Sequence, residues 1–252
     1  MGAQDGGAQD RGAEDGGTED GGTEDGGAPQ RPRHFAAFRP GQVPAEADGR
    51  LHSPSFARNA DPILKVLASQ CAGLRGRALE LASGTGQHVC HFAAALPGLA
   101  FTPSDPDPVH RASIDAWRAR LGVPVAPARD LDAAGDWPAA VADIAPLALV
   151  LAINLLHIAP WRVTEGLVLG AARALAPGGI LFIYGPFRQG GRHTGPGNAA
   201  FDAGLRAENP EWGLRDIEAV AAAAQAAGLT GPDVVIMPAD NRSLVFRRPA
   251  SG

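Results

Sequence analysis

The stretch from Arg77 to His88, RALELASGTGQH, reads as a strand, a tight turn of small residues and the start of a helix. The apolar strand carries one acid, Glu80, and runs into a loop of Ala82, Ser83, Gly84, Thr85 and Gly86. Beyond the loop, Val89, Phe92, Ala93 and Leu96 keep the i, i+3, i+4, i+7 spacing of a helix packed on a sheet. Such a turn brings backbone N–H groups and a helix N-terminus to one point, where a small ligand is approached closely. The spacing narrows the ligand. In a dinucleotide fingerprint, G-x-G-x-x-G, the third glycine seats the helix and the helix N-terminus faces a pyrophosphate. Here Val89 takes that place, and Glu80 would repel a pyrophosphate. The acid suits a ligand with a cation at that point, such as the methionine ammonium of S-adenosyl-L-methionine.

Outward from this stretch, strands and helices alternate. Asn59 offers an N-cap for a helix from Pro62 to Gln70. After the strand ending at Ala82 and the helix from Gln87 to Leu96 come a strand at Leu99 to Thr102, a helix from Val109 to Arg120 and a short strand near Val125. The run Leu147 to Ile153, LALVLAI, lacks alternation, as a strand buried on both faces of a parallel sheet does. A helix from Val163 to Leu175 leads through Pro177, Gly178 and Gly179 into a strand at Ile180 to Tyr184. After a helix ending at Gly228, Val234 to Met237 and Ser243 to Phe246 flank PADNR, five turn residues that read as a hairpin. The expectation is an α/β fold: a doubly wound, mostly parallel, seven-stranded sheet with helices on both faces and a C-terminal antiparallel hairpin.

Residues 1–28 repeat a five-residue unit, GAQDG to GTEDG, with no aromatic, and such a tract cannot bury enough surface to order itself. It reads as a disordered acidic, glycine-rich tail, followed by an irregular Pro-, Arg- and Phe-rich arm over 29–58 and a domain over 59–252. The tail holds eight acids against one base, Arg11, so the −5 net charge is the tail's; the remainder has 21 bases against 19 acids. Bulk charge therefore gives no case for a nucleic-acid partner. Cys71 and Cys90 are the only cysteines, no signal-peptide pattern opens the chain, and the longest apolar run, Ala145 to Leu156, is too short to span a bilayer. These features predict a cytoplasmic protein with no membrane partner; oligomeric state is not read. The segment from 187 to 215, with RQGGRHTGPGN at its start, fits neither strand nor helix throughout and sits where a lid or substrate loop belongs.

Ligands of open α/β sheets bind past the carboxyl ends of the strands, so the residues there are the candidates. Asp105 lies 19 residues past Gly86, where a carboxylate accepts from a ribose diol; Asp107, in the same PSDPDP turn, offers either that contact or a helix cap. Asn154, Leu155, Leu156 and His157 follow the buried strand, and His157 has the chemistry of a general base titrating near neutrality or of a loop-holding hydrogen bonder. Tyr184 ends the next strand, and His193, Asn198 and Asp202 lie in the insertion. Arg58 and Asn59 reach from the arm toward a methionine carboxylate, and Gln87 and His88 open the helix after the glycine loop. His88 and His91 are one turn apart, but Cys90 between them points to another face, so no metal is expected.

ELASGTG resembles the first motif of class I S-adenosylmethionine-dependent methyltransferases, acid-x-Gly-x-Gly-x-Gly, with Ala82 at the first glycine's place. The strings SGTGQHVCHFA, PSDPDP, INLLHIAPW, TEGL, YGPF, NAAFDAGLR and NRSLVFRR resemble, from Ser53 to Arg248, a methyltransferase-like family known as a domain of unknown function. The resemblance implies the Rossmann-like methyltransferase fold with S-adenosyl-L-methionine as cofactor and S-adenosyl-L-homocysteine as product. It implies Asp130 at the adenine amino group, Leu131 against the ring, and the 154–157 loop between cofactor and methyl acceptor. Methyltransferases of nucleic-acid bases tend to carry Asn or Asp, two prolines and an aromatic there; this chain has NLLH, which argues for a small-molecule acceptor. The cofactor candidates are thus Asn59, Glu80, Ala82, Ser83, Gly84, Thr85, Gly86, His88, Asp105, Asp130, Leu131, Asn154 and Leu155, with His157 and Tyr184 facing the reaction. The competing functions are a non-catalytic S-adenosylmethionine binder or regulatory protein and a nicotinamide oxidoreductase. Val89 disfavours the latter, as does Lys65 being the sole lysine, which leaves no Tyr-x-x-x-Lys.

Overall fold

Parallel strands with helical crossovers dominate the computed structural model, which describes residues 44–250. The expected tail over 1–28 and the arm up to residue 43 lie outside the described residues. Four strands and the helices between them form the parallel part: α1 (Phe56–Gln70), β1 (Gly76–Leu81), α2 (Gln87–Ala95), β2 (Leu99–Pro103), α3 (Pro108–Leu121), the short α4 (Trp137–Ala140), β3 (Leu147–Ile153), α5 (Trp161–Ala174) and β4 (Leu175–Gln189). The chain continues through β5 (Arg192–His193), α6 (Asn198–Glu208), β6 (Arg215–Asp216) and α7 (Ile217–Ala226) to the hairpin of β7 (Thr230–Ile236) and β8 (Asn241–Arg247). The sheet order is β2-β1-β3-β4-β8-β7, with β8 antiparallel to both of its neighbours.

The hydrophobic pattern dictates this layering. In β3, Leu149, Leu151 and Ile153 join the core under α1, α2 and α3, while Val150 and Ala152 join the core under α4, α5 and α7. Successive strand side chains point to opposite faces, so burial on both faces requires the unbroken apolar run. No helix among the described residues is long and apolar enough to cross a membrane.

Three expectations need correction. The strand expected near Val125 exists only as two isolated parallel bridges to the β2 side, Phe101 to Val125 and Ser104 to Arg129. Pro124 and Pro127 remove ladder donors from that segment, so the seventh position of the sheet is filled by extended chain without a continuous ladder. The first helix begins at Phe56 and carries Pro62 inside it, so Asn59 is a buried helical residue and not the N-cap. The turn before Pro62 is closed by Arg58 and Asn59 N–H groups donating to Ser55 O at 3.1 and 3.2 Å. The 187–215 insertion is also more regular than expected. β4 runs on past the sheet to pair with the short β5 and β6, and NAAFDAGLRAE forms α6. Its inward face, Asn198, Asp202 and Leu205, is mostly polar, which hides the helical period from a hydrophobicity reading.

Candidate functional site

The carboxyl ends of β1, β2, β3 and β4 open into one cavity of about 720 Å³, to which the β7–β8 turn, α6, the start of α1 and Ser53 to Ser55 also contribute. The glycine loop is built by backbone conformation. Ala82 and Gly84 both have left-handed φ, 56° each, which explains why glycine is the usual residue at the place Ala82 fills. Gly86 (φ 88°) does not line the cavity. A Cβ there would lie 2.7 Å from Ile114 Cα, so its bareness seats the loop on α3.

Glu80 lies at the end of β1, just before this loop. Ser104 and Ser83 donate to its backbone oxygen at 2.8 and 3.4 Å, which fixes the strand end. Its side chain is 1% exposed and lines the cavity, and Oε2 has no hydrogen-bond partner. Burial raises its pKa to about 8, with the Asp105 charge adding to the shift and Ser83 opposing it. A buried acceptor without a donor is costly, and this one is the group a ligand cation would satisfy.

Asp105 is buried and lines the cavity. Its Oδ2 accepts from Gly84 N–H at 2.9 Å, and its Oδ1 accepts from Asp107 N–H at 2.9 Å and His110 Nδ1 at 3.1 Å. The carboxylate therefore ties the glycine loop to α3, and its remaining acceptor capacity lies on Oδ2. Asp107 caps α3 by accepting from Val109 N–H at 2.8 Å and is not in the lining. Asp130 is also outside the lining: its carboxylate is exposed and stands 3.5 Å from Arg111 Nη1. From that segment Leu131 and Asp132 line the cavity instead.

On the opposite wall a polar chain links three elements. His88 Nε2 and Asn59 Oδ1 are 2.8 Å apart, and Asn59 and Asn241 both hydrogen-bond to Tyr184. Burial lowers His88 to about 4, with His91 adding to the shift, and raises the Tyr184 hydroxyl against the pull of these bonds. At neutral pH His88 is thus an uncharged N–H donor to Asn59. The arm is fastened to the same region through Ser53 N–H, which donates to Gln87 Oε1 at 2.6 Å.

His157 sits in a 3₁₀ turn, Leu156–Ile158, directly after Asn154 (φ 55°) and Leu155, and all three line the cavity. The expected near-neutral titration is not what its surroundings give. Burial and, after it, the Arg215 charge lower His157 to about 4, so the ring is neutral at pH 7. Arg215 donates to Leu156 O at 3.1 Å, to Glu211 O at 2.9 Å and to Ala159 O, and Gly213 N–H donates to His157 O at 3.0 Å. The insertion therefore staples the His157 loop. Asn198 and Phe201 of α6 line the cavity too, with the Phe201 ring 5.7 Å from that of His157. His193 and Asp202 pair with each other at 3.1 Å instead of lining it.

Sequence reasoning missed Asp132, His110 and Asn241. Asp132 is one of several closely spaced acids, and Asn241 is hidden in a turn whose residues already explain a hairpin. His110 carried a usable signal, a histidine in the first turn of the helix that PSDPDP caps. No group of three His, Cys, Asp or Glu able to hold a metal occurs among the described residues.

Residues 50–248 match the family described as a protein of unknown function (DUF938). Among solved structures, an O-methyltransferase family protein from Burkholderia thailandensis is 21% identical with a TM-score of 0.64, over 79% of this chain and 58% of its own. A putative O-methyltransferase from Nostoc punctiforme PCC 73102 is 19% identical with a TM-score of 0.67, over 79% and 58%. Human N-acetylserotonin methyltransferase, solved with SAM, is 15% identical with a TM-score of 0.60, over 77% and 53%. The chain thus spans less than two thirds of the length of these proteins. At such identities the likeness shows the fold, which is the Rossmann-like methyltransferase fold.

Proposed function

Because the chain belongs to the DUF938 family, its chemistry is read from its own cavity, and we propose that it is an S-adenosyl-L-methionine-dependent methyltransferase acting on a small acceptor. The observation that carries this reading is Glu80: a buried carboxyl with an unpartnered oxygen, in the wall of a cavity framed by a left-handed small-residue loop. An ammonium meets the missing partner there and favours the ionised carboxylate, whereas a pyrophosphate finds no cation beside Glu80.

The residues fit the cofactor as follows. Glu80 receives the methionine ammonium, with the loop backbone of Ala82, Ser83, Gly84 and Thr85 alongside it and Asn59 and His88 at its other side. Asp105 accepts one ribose hydroxyl through Oδ2, the oxygen with spare capacity. Leu131 packs on the adenine face, and Asp132 takes the adenine contact expected of Asp130, since Asp132 lines the cavity and Asp130 does not. Asn154 and Leu155 border the methyl group. When bound, the cofactor supplies an electrophilic methyl group on a sulfonium, and the protein's part is alignment, which is worth roughly 7–11 kcal/mol in favourable systems. His157 and Tyr184 line the acceptor side. A neutral imidazole there accepts a proton or a hydrogen bond from the acceptor and adds no positive charge.

A crystal of the chain grown with S-adenosyl-L-homocysteine tests this assignment. The amino group within hydrogen-bonding distance of Glu80 and a ribose hydroxyl on Asp105 are the expected result; a ligand placed with its adenine in the Glu80 loop would overturn it.

A further inference from the structure

The charge on the cavity wall is divided between its two ends. Among the described residues, the carboxylates that line it are Glu80, Asp105 and Asp132, all on the side of β1, β2 and β3. On the side of β4, α6 and the β7–β8 turn, the polar lining is His157, Tyr184, Asn198 and Asn241, with Phe201 as the aromatic wall. None of these is anionic. Asp240, next to Asn241 on the turn, packs its carboxylate against Gly195 and is not in the lining. Among the described lining residues, the charge that acts on this side is cationic: Arg58, whose positive charge lowers the Tyr184 hydroxyl against the larger effect of burial. His157 adds no charge at neutral pH, being buried and lowered to about 4.

An ammonium entering this end would lose its water and find no counter-charge, which is among the costliest burials available to a small ligand. A hydroxyl finds amides, a phenol and a neutral imidazole, each able to donate or accept. A ring finds an aromatic wall, the Phe201 side chain already packed at a tilt on the His157 ring at 5.7 Å, whose outward faces are open to a further aromatic contact.

We propose that the acceptor end takes a ring-bearing hydroxyl compound, neutral or anionic, and excludes ammonium-bearing acceptors. This rests on the reading of the Glu80 end as the S-adenosylmethionine site and names the acceptor class for it. In the step, the acceptor oxygen forms a bond to the methyl carbon as the carbon–sulfur bond breaks with its electron pair left on sulfur. The hydroxyl proton passes to the unprotonated His157 ring and from it to water.

The test uses the full chain loaded with S-adenosyl-L-homocysteine, titrated by NMR at pH 7 with phenol and with benzylamine, which is a cation at that pH. Phenol binding at least tenfold more tightly is the expected result. Benzylamine binding equally or more tightly, or neither binding, overturns the acceptor class. Asn241→Asp, an isosteric change that puts a carboxylate into this end, is expected to raise benzylamine affinity at least fivefold; Asn198→Asp serves if the first variant does not fold, and no gain in either overturns the charge argument. Titrating the chain with S-adenosyl-L-homocysteine before it is loaded separates the two claims. No binding there removes the cofactor reading, whereas binding followed by a preference for benzylamine removes the acceptor class alone.

Discussion

Glu80 and Asp105 are both buried carboxyls on the cavity wall, yet their surroundings give them different work. Asp105 is already paired to Gly84, Asp107 and His110, whereas Glu80 Oε2 has no donor and the group is raised to about 8 by burial. At pH 7 the unliganded Glu80 is therefore mostly protonated. An ammonium beside it favours the carboxylate, so binding of S-adenosyl-L-homocysteine should release close to one proton. Calorimetry in two buffers of different ionisation heat measures this, and Glu80→Gln should abolish the release and weaken binding by roughly 10–100-fold, the worth of a charged hydrogen bond. For Asp105→Ala, a loss of cofactor affinity together with a lower melting temperature is expected, because the variant removes a ligand contact and unties the loop from α3. Sequence reading found both residues but could not separate Asp105 from Asp107, since PSDPDP presents both in one turn. The difference lies in which N–H each carboxylate accepts, and that is set by the start of α3.

At the level of elements, the β1–α2 loop makes two opposite predictions for single methyl groups. Gly86→Ala drives a Cβ into Ile114 and should cost about 1–3 kcal/mol, seen as a lower denaturant midpoint. Ala82→Gly relieves a left-handed alanine and should leave stability equal or raise it by up to about 1 kcal/mol. Arg215 belongs to this scale as well, because it ties β6 to the His157 loop through the Leu156 and Ala159 carbonyls. Arg215→Met strands the Leu156, Ala159 and Glu211 carbonyls and removes a positive charge, so a loss of roughly 3 kcal/mol is expected, with the His157 pKa rising above about 4 in an NMR titration while burial, the larger cause, still holds it below 6.5. An unchanged His157 pKa would contradict the role given to that charge. The parallel strands were legible because burial on both faces leaves an apolar run that no loop imitates. α6 was not, because Asn198 and Asp202 occupy its buried face, nor was the first turn of α1, because Pro62 reads as a helix start when nothing in the sequence reports the Ser55 contacts above it.

For the molecule as a whole, buried titratable groups set a pH profile in the unliganded state. His88 and His157, both lowered to about 4, contribute stability that is present above about pH 6.5 and lost as pH falls through 4. Glu80, raised to about 8, works the other way: its contribution is present below its ordinary pKa of 4.5 and lost as pH rises through 8. The denaturant midpoint should therefore peak near pH 6.5 and fall on both sides, and the alkaline fall should be shallower in Glu80→Gln, where His110, raised by Asp105 against its burial, still loses stability as pH rises. A flat profile between pH 4.5 and 8 would contradict these burials. The fold class was legible across the chain because the alternation of strands and helices is repeated and redundant. The division of charge within the cavity was not, since it depends on which members of several acid-rich turns face inward, and Asp130 and Asp132 are one residue apart in that respect.

The central claim is that Glu80 and its loop hold the ammonium end of a sulfur cofactor and not a pyrophosphate. Titration calorimetry of the full chain with S-adenosyl-L-methionine, S-adenosyl-L-homocysteine and NAD measures it directly. The account predicts one site for each sulfur ligand, proton release at pH 7 that Glu80→Gln eliminates, and no heat with NAD. Binding of NAD with no heat from either sulfur ligand would contradict it.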